Sequence, residues 1–103
     1  MSQVEVTVTG GQVSVDVEDL KMGKQKDVTI RWQIQSDGWT FPSDGIVVHD
    51  NDGQFSDFKV NGSGKLFSCL DKNTNTKNYK YDVRVTDGKQ TLVLDPTIGN
   101  EGP

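Results

Sequence analysis

Asp27-Val28-Thr29-Ile30-Arg31-Trp32-Gln33-Ile34-Gln35 is the stretch that decides the fold. Val28, Ile30, Trp32 and Ile34 share one parity; Thr29, Arg31, Gln33 and Gln35 share the other. Successive side chains of an extended chain point to opposite faces, so this spacing predicts a strand wet on one side and buried on the other, with Trp32 in the core. The same device recurs on both sides of it. Val4, Val6 and Val8 alternate over residues 3–9, and Val13, Val15 and Val17 over residues 12–18. Tyr79, Tyr81, Val83 and Val85 alternate with Lys80, Asp82 and Arg84.

Turn chemistry separates these runs. Gly10-Gly11 joins the two valine ladders, as a hairpin or as a kink where one edge strand switches sheets. Residues 20–26 read as a polar turn. A short strand is expected at residues 46–49, then a hairpin of residues 55–60 and 65–70 around Asn61-Gly62-Ser63-Gly64. Asp87-Gly88 turns the chain into a last strand at residues 90–94, which Asp95-Pro96 stops because proline lacks the ladder donor.

No sustained helical period appears, and about seven to nine short strands with regular turns are the mark of a sandwich or barrel. The fold class that follows is all-β: an antiparallel immunoglobulin-like β-sandwich of Greek-key type. One domain is expected over residues 1–98, with a loose C-terminal tail at residues 99–103. The expected core includes Val6, Val15, Val28, Ile30, Trp32, Ile34, Tyr81, Val83 and Val85. Only 32% of the 103 residues are hydrophobic, but alternation lets few apolar side chains cover one face of a sheet.

The formal net charge of −4 argues against nucleic acid and anionic membranes as partners. Cys69 is the single cysteine, so no internal disulfide forms. Residues 1–5 lack the basic and apolar regions of a signal peptide, and no apolar run approaches the roughly 18 residues of a membrane helix. The expected location is the cytoplasm.

Copper chemistry on a β-sandwich needs two histidines, a cysteine and often a methionine. His49, Cys69 and Met22 fall one histidine short, and Cys69 alternates with Phe67 as a small core residue would. Calcium has a better oxygen supply. Asp50, Asp52, Gln54 and Asp57 make one Asx-rich loop; Asp71, Asn73 and Asn75 make a second, with Asp82 at the last position of a twelve-residue spacing. The candidate metal residues are therefore Asp50, Asp52, Asp71, Asn73 and Asn75, set against the ordinary preference of turns for Asx residues. No cofactor is implied. Catalysis lacks a constellation: the one histidine, His49, sits in no nucleophile motif, and Gly62-Ser63-Gly64-Lys65 is a hairpin turn rather than a phosphate loop.

Trp39-Thr40-Phe41-Pro42, between two Asp-Gly turns, is the aromatic feature left over. Either it plugs the open end of the sandwich, or Trp39 and Phe41 form an exposed platform for a ligand. The function expected is a non-enzymatic binding module for an unknown protein or small ligand, with a metal-binding sandwich as the alternative. A monomer or weak homodimer is expected, the valine-rich N-terminal strand offering an edge to a second copy.

The segment Tyr79-Lys80-Tyr81-Asp82-Val83-Arg84-Val85 resembles the last hairpin of immunoglobulin-like modules, in which a tyrosine pins a corner. That resemblance gives the role to Tyr79 or Tyr81. Asp95-Pro96-Thr97-Ile98-Gly99-Asn100-Glu101, and the chain as a whole, resembles a family of short uncharacterised bacterial proteins called DP-EP. The family's signature is an Asp-Pro followed by an acid and a proline; here Gly102 separates Glu101 from Pro103. The resemblance implies a bacterial origin and transfers no catalytic residue.

Overall fold

The computed structural model describes residues 2–102. Within them the chain forms ten strands and no helix: β1 (Ser2–Thr9), β2 (Gln12–Val15), β3 (Asp19–Lys21), β4 (Val28–Ile34), β5 (Ile46–Val48), β6 (Phe55–Val60), β7 (Leu66–Asp71), β8 (Asn78–Thr86), β9 (Thr91–Leu94) and β10 (Thr97–Gly99). Two sheets result. One runs β2-β1-β4-β7-β6; the other runs β3-β10-β8-β5, with β9 also on β8.

The alternation around Trp32 becomes β4, with Val28, Ile30, Trp32 and Ile34 all buried. From the other sheet, β8 sends Tyr79, Tyr81, Val83 and Val85 into the same core. The two central strands meet at Trp32 and Tyr81. Their rings lie 5.5 Å apart, and Trp32 Nε1 donates to the Tyr81 hydroxyl at 3.0 Å. Burying a large apolar side chain contributes about 1.5–3 kcal/mol, and these two strands bury more such side chains than any other strand. Of the expected core, only Val15 is half-exposed.

Gly10 and Gly11 both have positive φ, 58° and 77°, the geometry of a two-residue hairpin turn, and β1 pairs β2 with Thr9 opposite Gln12. The valine-rich N-terminal strand is therefore not an edge. It lies between β2 and β4, which corrects its expected role in pairing with a second copy.

Four other expectations need correction. The sandwich is not purely antiparallel: β1 runs parallel to β4, and β10 parallel to β3. Leu20 and Lys21, read as turn, belong with Asp19 to β3, and Leu20 is buried. Asp95-Pro96 interrupts the last strand without ending it. The register that sets Val83 opposite Leu94 continues unshifted to Lys80 opposite Thr97, and Tyr81 N donates to Pro96 O at 3.0 Å. Proline lacks a donor but keeps its carbonyl, so the ladder survives on one bond at that pair.

The tail is also not loose. Asn100 is 3% exposed, Asn100 N donates to Lys77 O, and Gly102 is buried. Glu101 Oε1 accepts from Gly23 N at 2.7 Å, and Lys24 Nζ donates to Glu101 O. Pro103 lies outside the described residues.

On edge strand β6 the register slips between Ser56 and Lys59, with Asp57 at φ 57°. Such a bulge bends an open edge and discourages pairing with another chain.

Candidate functional site

Phe41 faces inward. It is 5% exposed and stacks edge-on against Phe67, ring centres 5.6 Å apart. Trp39 is half-buried against the same core. The loop is tied down at every step: Thr40 exchanges both backbone bonds with Thr86, Phe41 N donates to Gly64 O, and Lys65 Nζ donates to Ser36 O and Trp39 O. At Gly64, a Cβ would stand 2.9 Å from Thr40 Cβ, and φ is +76°. Phe41 thus plugs the sandwich end, where buried aromatic area stabilises a thin core, while Trp39 keeps part of its surface exposed. Phe41 offers no surface to a ligand.

The Asx residues collect at one end of the molecule. Asp50, Asp52 and Asn73 hold positive φ, the turn conformation that short polar side chains tolerate. Asp50 is exposed. Asp52 Oδ2 accepts from Lys77 Nζ at 2.6 Å and from the Tyr79 hydroxyl at 3.1 Å, and Lys77 holds its carboxyl below the usual range. Asn75 Nδ2 donates to that same Tyr79 hydroxyl at 2.8 Å, so the tyrosine bonds a side chain four residues upstream rather than a backbone corner. Tyr81 instead bonds Trp32 across the core.

Asp71, Asn73 and Asn100 are sealed, and Gln54 nearly so. Asn73 is fully used by its neighbours: Nδ2 donates to Gly23 O and Gln25 O, and Oδ1 accepts from Glu101 N and Gly102 N. Its oxygen is spent on the chain itself. Asn100 Nδ2 donates to Gln54 Oε1 and Asn75 Oδ1. Two buried oxygens, Asp71 Oδ2 and Asn100 Oδ1, have no donor. No group of three or more His, Cys, Asp or Glu side chains gathers to hold a metal ion among the described residues. Met22 and Cys69 are buried in the core, and burial pushes the Cys69 thiol up to about 12. Sequence reading missed Asn100 because its partners lie 25 and 46 residues away.

Burial raises the Asp71 carboxyl pKa, against the opposing pull of the Asn73 N–H and the Asn100 side chain. A raised folded-state pKa means a contribution fully present below the unfolded value and lost as pH rises through the folded value. Asp71→Asn removes the ionisable group and its unpartnered Oδ2 acceptor, and keeps an acceptor for Asn73 N. An unsatisfied buried acceptor costs about 1–3 kcal/mol, so the variant should melt higher than the native chain at neutral pH and show less decline from acid to neutral pH. Thermal melts across pH check this. A destabilised variant, combined with a calcium-dependent melting temperature of the native chain, would assign Asp71 to a cation instead.

The outer face of the β3-β10-β8-β5 sheet gathers the remaining chemistry. Its alternation turns Asn78, Lys80, Asp82 and Arg84 away from the core. Asp82 sits at the centre, its side chain 15% exposed. His49 Nε2 lies 2.9 Å from Asp82 Oδ1, and Arg84 Nη2 donates to Asp82 Oδ2 at 2.7 Å. Arg84 Nη1 donates onward to Asp44 O. Asp82 raises the His49 pKa through its hydrogen bond and its charge. Lys80 reaches Asp95, and Lys21 pairs with Asp19. Val93, 55% exposed, stands opposite Arg84 in register. The hollow beside His49 is lined by Asp50, Lys77, Asn78, Tyr79 and Lys80, a set without a serine, threonine or cysteine nucleophile.

The chain matches no protein-family model, and no curated protein matches it. Among the described residues, no helix is long and apolar enough to cross a membrane.

Proposed function

We propose that this chain is a non-enzymatic binding module of immunoglobulin-like, Greek-key type, and that it engages a protein partner through the outer face of the β3-β10-β8-β5 sheet. The succession of strands supports the architecture. β4 lies in one sheet, β5 in the other, β6 and β7 return to the first, and β8, β9 and β10 to the second. That is the order in which strands B to G of an immunoglobulin domain divide between its sheets. The β1–β2 hairpin is an addition along the edge of β4. The DP-EP resemblance belongs to this reading, and with it a bacterial origin and a cytoplasmic location.

The binding face rests on one observation: Asp82 clamped between His49 and Arg84. Side chains held in place lose little freedom on binding. The face carries both signs of charge with an apolar spot at Val93, which suits a protein surface of matching mixed charge better than a polyanion. The buried positions of Phe41 and Cys69 leave that ring and the thiol out of it.

The test uses exposed positions. Lys21→Glu with Lys80→Glu alters this face; Arg31→Glu alters the opposite sheet. Surface changes of this kind cost within about 0.5 kcal/mol, so all variants should fold. A partner captured by the immobilised chain should bind the double variant at least several-fold more weakly in a purified titration and Arg31→Glu unchanged. Loss with Arg31→Glu and retention by the double variant would move the interface to the other sheet and sink the proposal.

A further inference from the structure

We infer that Asn61-Gly62, at the tip of the β6–β7 hairpin, is a self-modifying site at which the asparagine side chain is converted to a mixture of aspartate and isoaspartate. This goes beyond the binding role and does not depend on it.

Three observations converge. First, Gly62 is the one glycine of the chain's eleven with neither a positive φ nor a neighbour that a Cβ would touch. The fold itself does not demand a glycine there. What the missing Cβ does provide is an open approach for the Gly62 nitrogen. Each of the other asparagines is followed by a residue with a side chain: Asn51 by Asp52, Asn73 by Thr74, Asn75 by Thr76, Asn78 by Tyr79 and Asn100 by Glu101.

Second, the amide carbonyl is polarised. Asn61 Oδ1 accepts from the Ser63 hydroxyl at 3.0 Å and from Leu66 N at 3.2 Å. Ser63 Oγ itself accepts from Lys65 N, which strengthens it as a donor. Two donors on a carbonyl oxygen stabilise the negative charge that develops there when its carbon is attacked. Third, Asn61 is exposed, and its Nδ2 has no hydrogen-bond partner among the described residues. The leaving group is free in water.

The chemistry balances with water alone. Hydroxide removes the Gly62 amide proton, and the nitrogen attacks Asn61 Cγ. The new C–N bond closes a five-membered imide. The Cγ–Nδ2 bond breaks, and Nδ2 leaves as ammonia after taking a proton from water. A second water then opens the imide at either carbonyl. One opening restores an aspartyl link, and the other routes the main chain through the former side chain. The net change is amide plus water to carboxylate plus ammonium, with no redox step.

The product has a consequence. Gly64 N donates to Asn61 O, and Gly64 O accepts from Phe41 N. Lys65 holds the Trp39 segment through two carbonyls. An isoaspartyl link lengthens the backbone by one atom inside this turn. It shifts Gly64 and Lys65, and so loosens the loop that carries Trp39.

The experiment incubates the folded native chain at mildly alkaline pH and follows it by peptide mass spectrometry with isoaspartyl methyltransferase labelling. Conversion at Asn61 ahead of every other asparagine, faster as pH rises, with both products formed, is expected. Gly62→Ala should suppress it without altering the melting temperature, since φ and space at Gly62 both admit a Cβ. Ser63→Ala should slow it several-fold. An inert Asn61, or conversion at an undiminished rate in Ser63→Ala, would overturn the inference.

Discussion

Replacing Trp32 by alanine should remove about 3–5 kcal/mol of stability, the usual cost of emptying an aromatic site in a packed core. Small domains hold roughly 5–15 kcal/mol in total, so the variant should be close to unfolding at room temperature. The argument is geometric. Trp32 has no exposed surface, it sits at the middle of β4, and Phe67 stands opposite it on β7. Across the sheets it meets Tyr81, also fully buried. The cavity opened by alanine lies between two sheets held apart by their other side chains, so it cannot collapse. The indole N–H adds a second cost that a milder variant isolates. Tyr81→Phe leaves Nε1 buried without its acceptor, a loss of about 1–3 kcal/mol. Trp32→Phe with Tyr81→Phe removes both polar partners, and the double variant should be less destabilised than the sum of the singles. Burial pushes the Tyr81 phenol up to about 12, so the pair stays neutral over the whole range in which the comparison is made. Urea titrations measure all four. A loss below about 1 kcal/mol for Trp32→Ala, no more than an average substitution costs, would take Trp32 out of the core and the two-sheet packing with it.

The faces of the long strands were legible because period-two spacing reports which side a residue takes. β4 and β8 were readable from valine, isoleucine and aromatic positions alone. The same signal carries no information about which strand lies alongside. Hence the parallel pairing of β1 with β4 was invisible: Val4 and Val6 face inward in either orientation. The strands β3 and β10 are three residues each, with Leu20 and Ile98 as their main buried side chains. Three residues contain too little alternation to register. Pro96 was a correct sign of a missing donor and a poor sign of a chain end, because the carbonyl side of the ladder continues. Of the site, Asp82 and Arg84 were placed outward by the same alternation. Their clamp on His49 joins residues 33 positions apart, and no local rule supplies that distance. The aromatic loop stayed open between two readings for a related reason. Composition marks Trp39 and Phe41 as large and apolar, and only the fold says whether such groups face a core or a partner.

The polar end of the molecule gives the second large effect. Asn73→Ala should cost about 4 kcal/mol, from four side-chain hydrogen bonds worth about 1 kcal/mol each, and the four backbone groups left behind are where the loss is felt. Gly23 O and Gln25 O belong to the loop before β4; Glu101 N and Gly102 N belong to the tail after β10. One buried amide therefore fastens two segments nearly eighty residues apart in the chain to the loop after β7, roughly 50 and 30 residues from its own position. Asparagine suits the place twice over: it alone offers two donors and an acceptor at this length, and its φ of 53° is one that asparagine tolerates better than alanine. The two contributions separate. Asn73→Gly keeps the backbone comfortable and deletes the bonds, so it should be less destabilising than alanine by about 1 kcal/mol. Asn73→Asp keeps the acceptor and turns a carboxylate oxygen toward two carbonyls, so it should be at least as damaging as alanine. Hydrogen exchange locates the effect: the amides of Glu101 and Gly102 should lose protection in Asn73→Ala and Asn73→Gly, which delete their acceptor, while those of β4 and β7 keep theirs. If alanine leaves both amides as protected as in the native chain, the clamp is not what holds the tail, and the order of residues 99–102 must come from the Glu101 contacts with Gly23 and Lys24 instead.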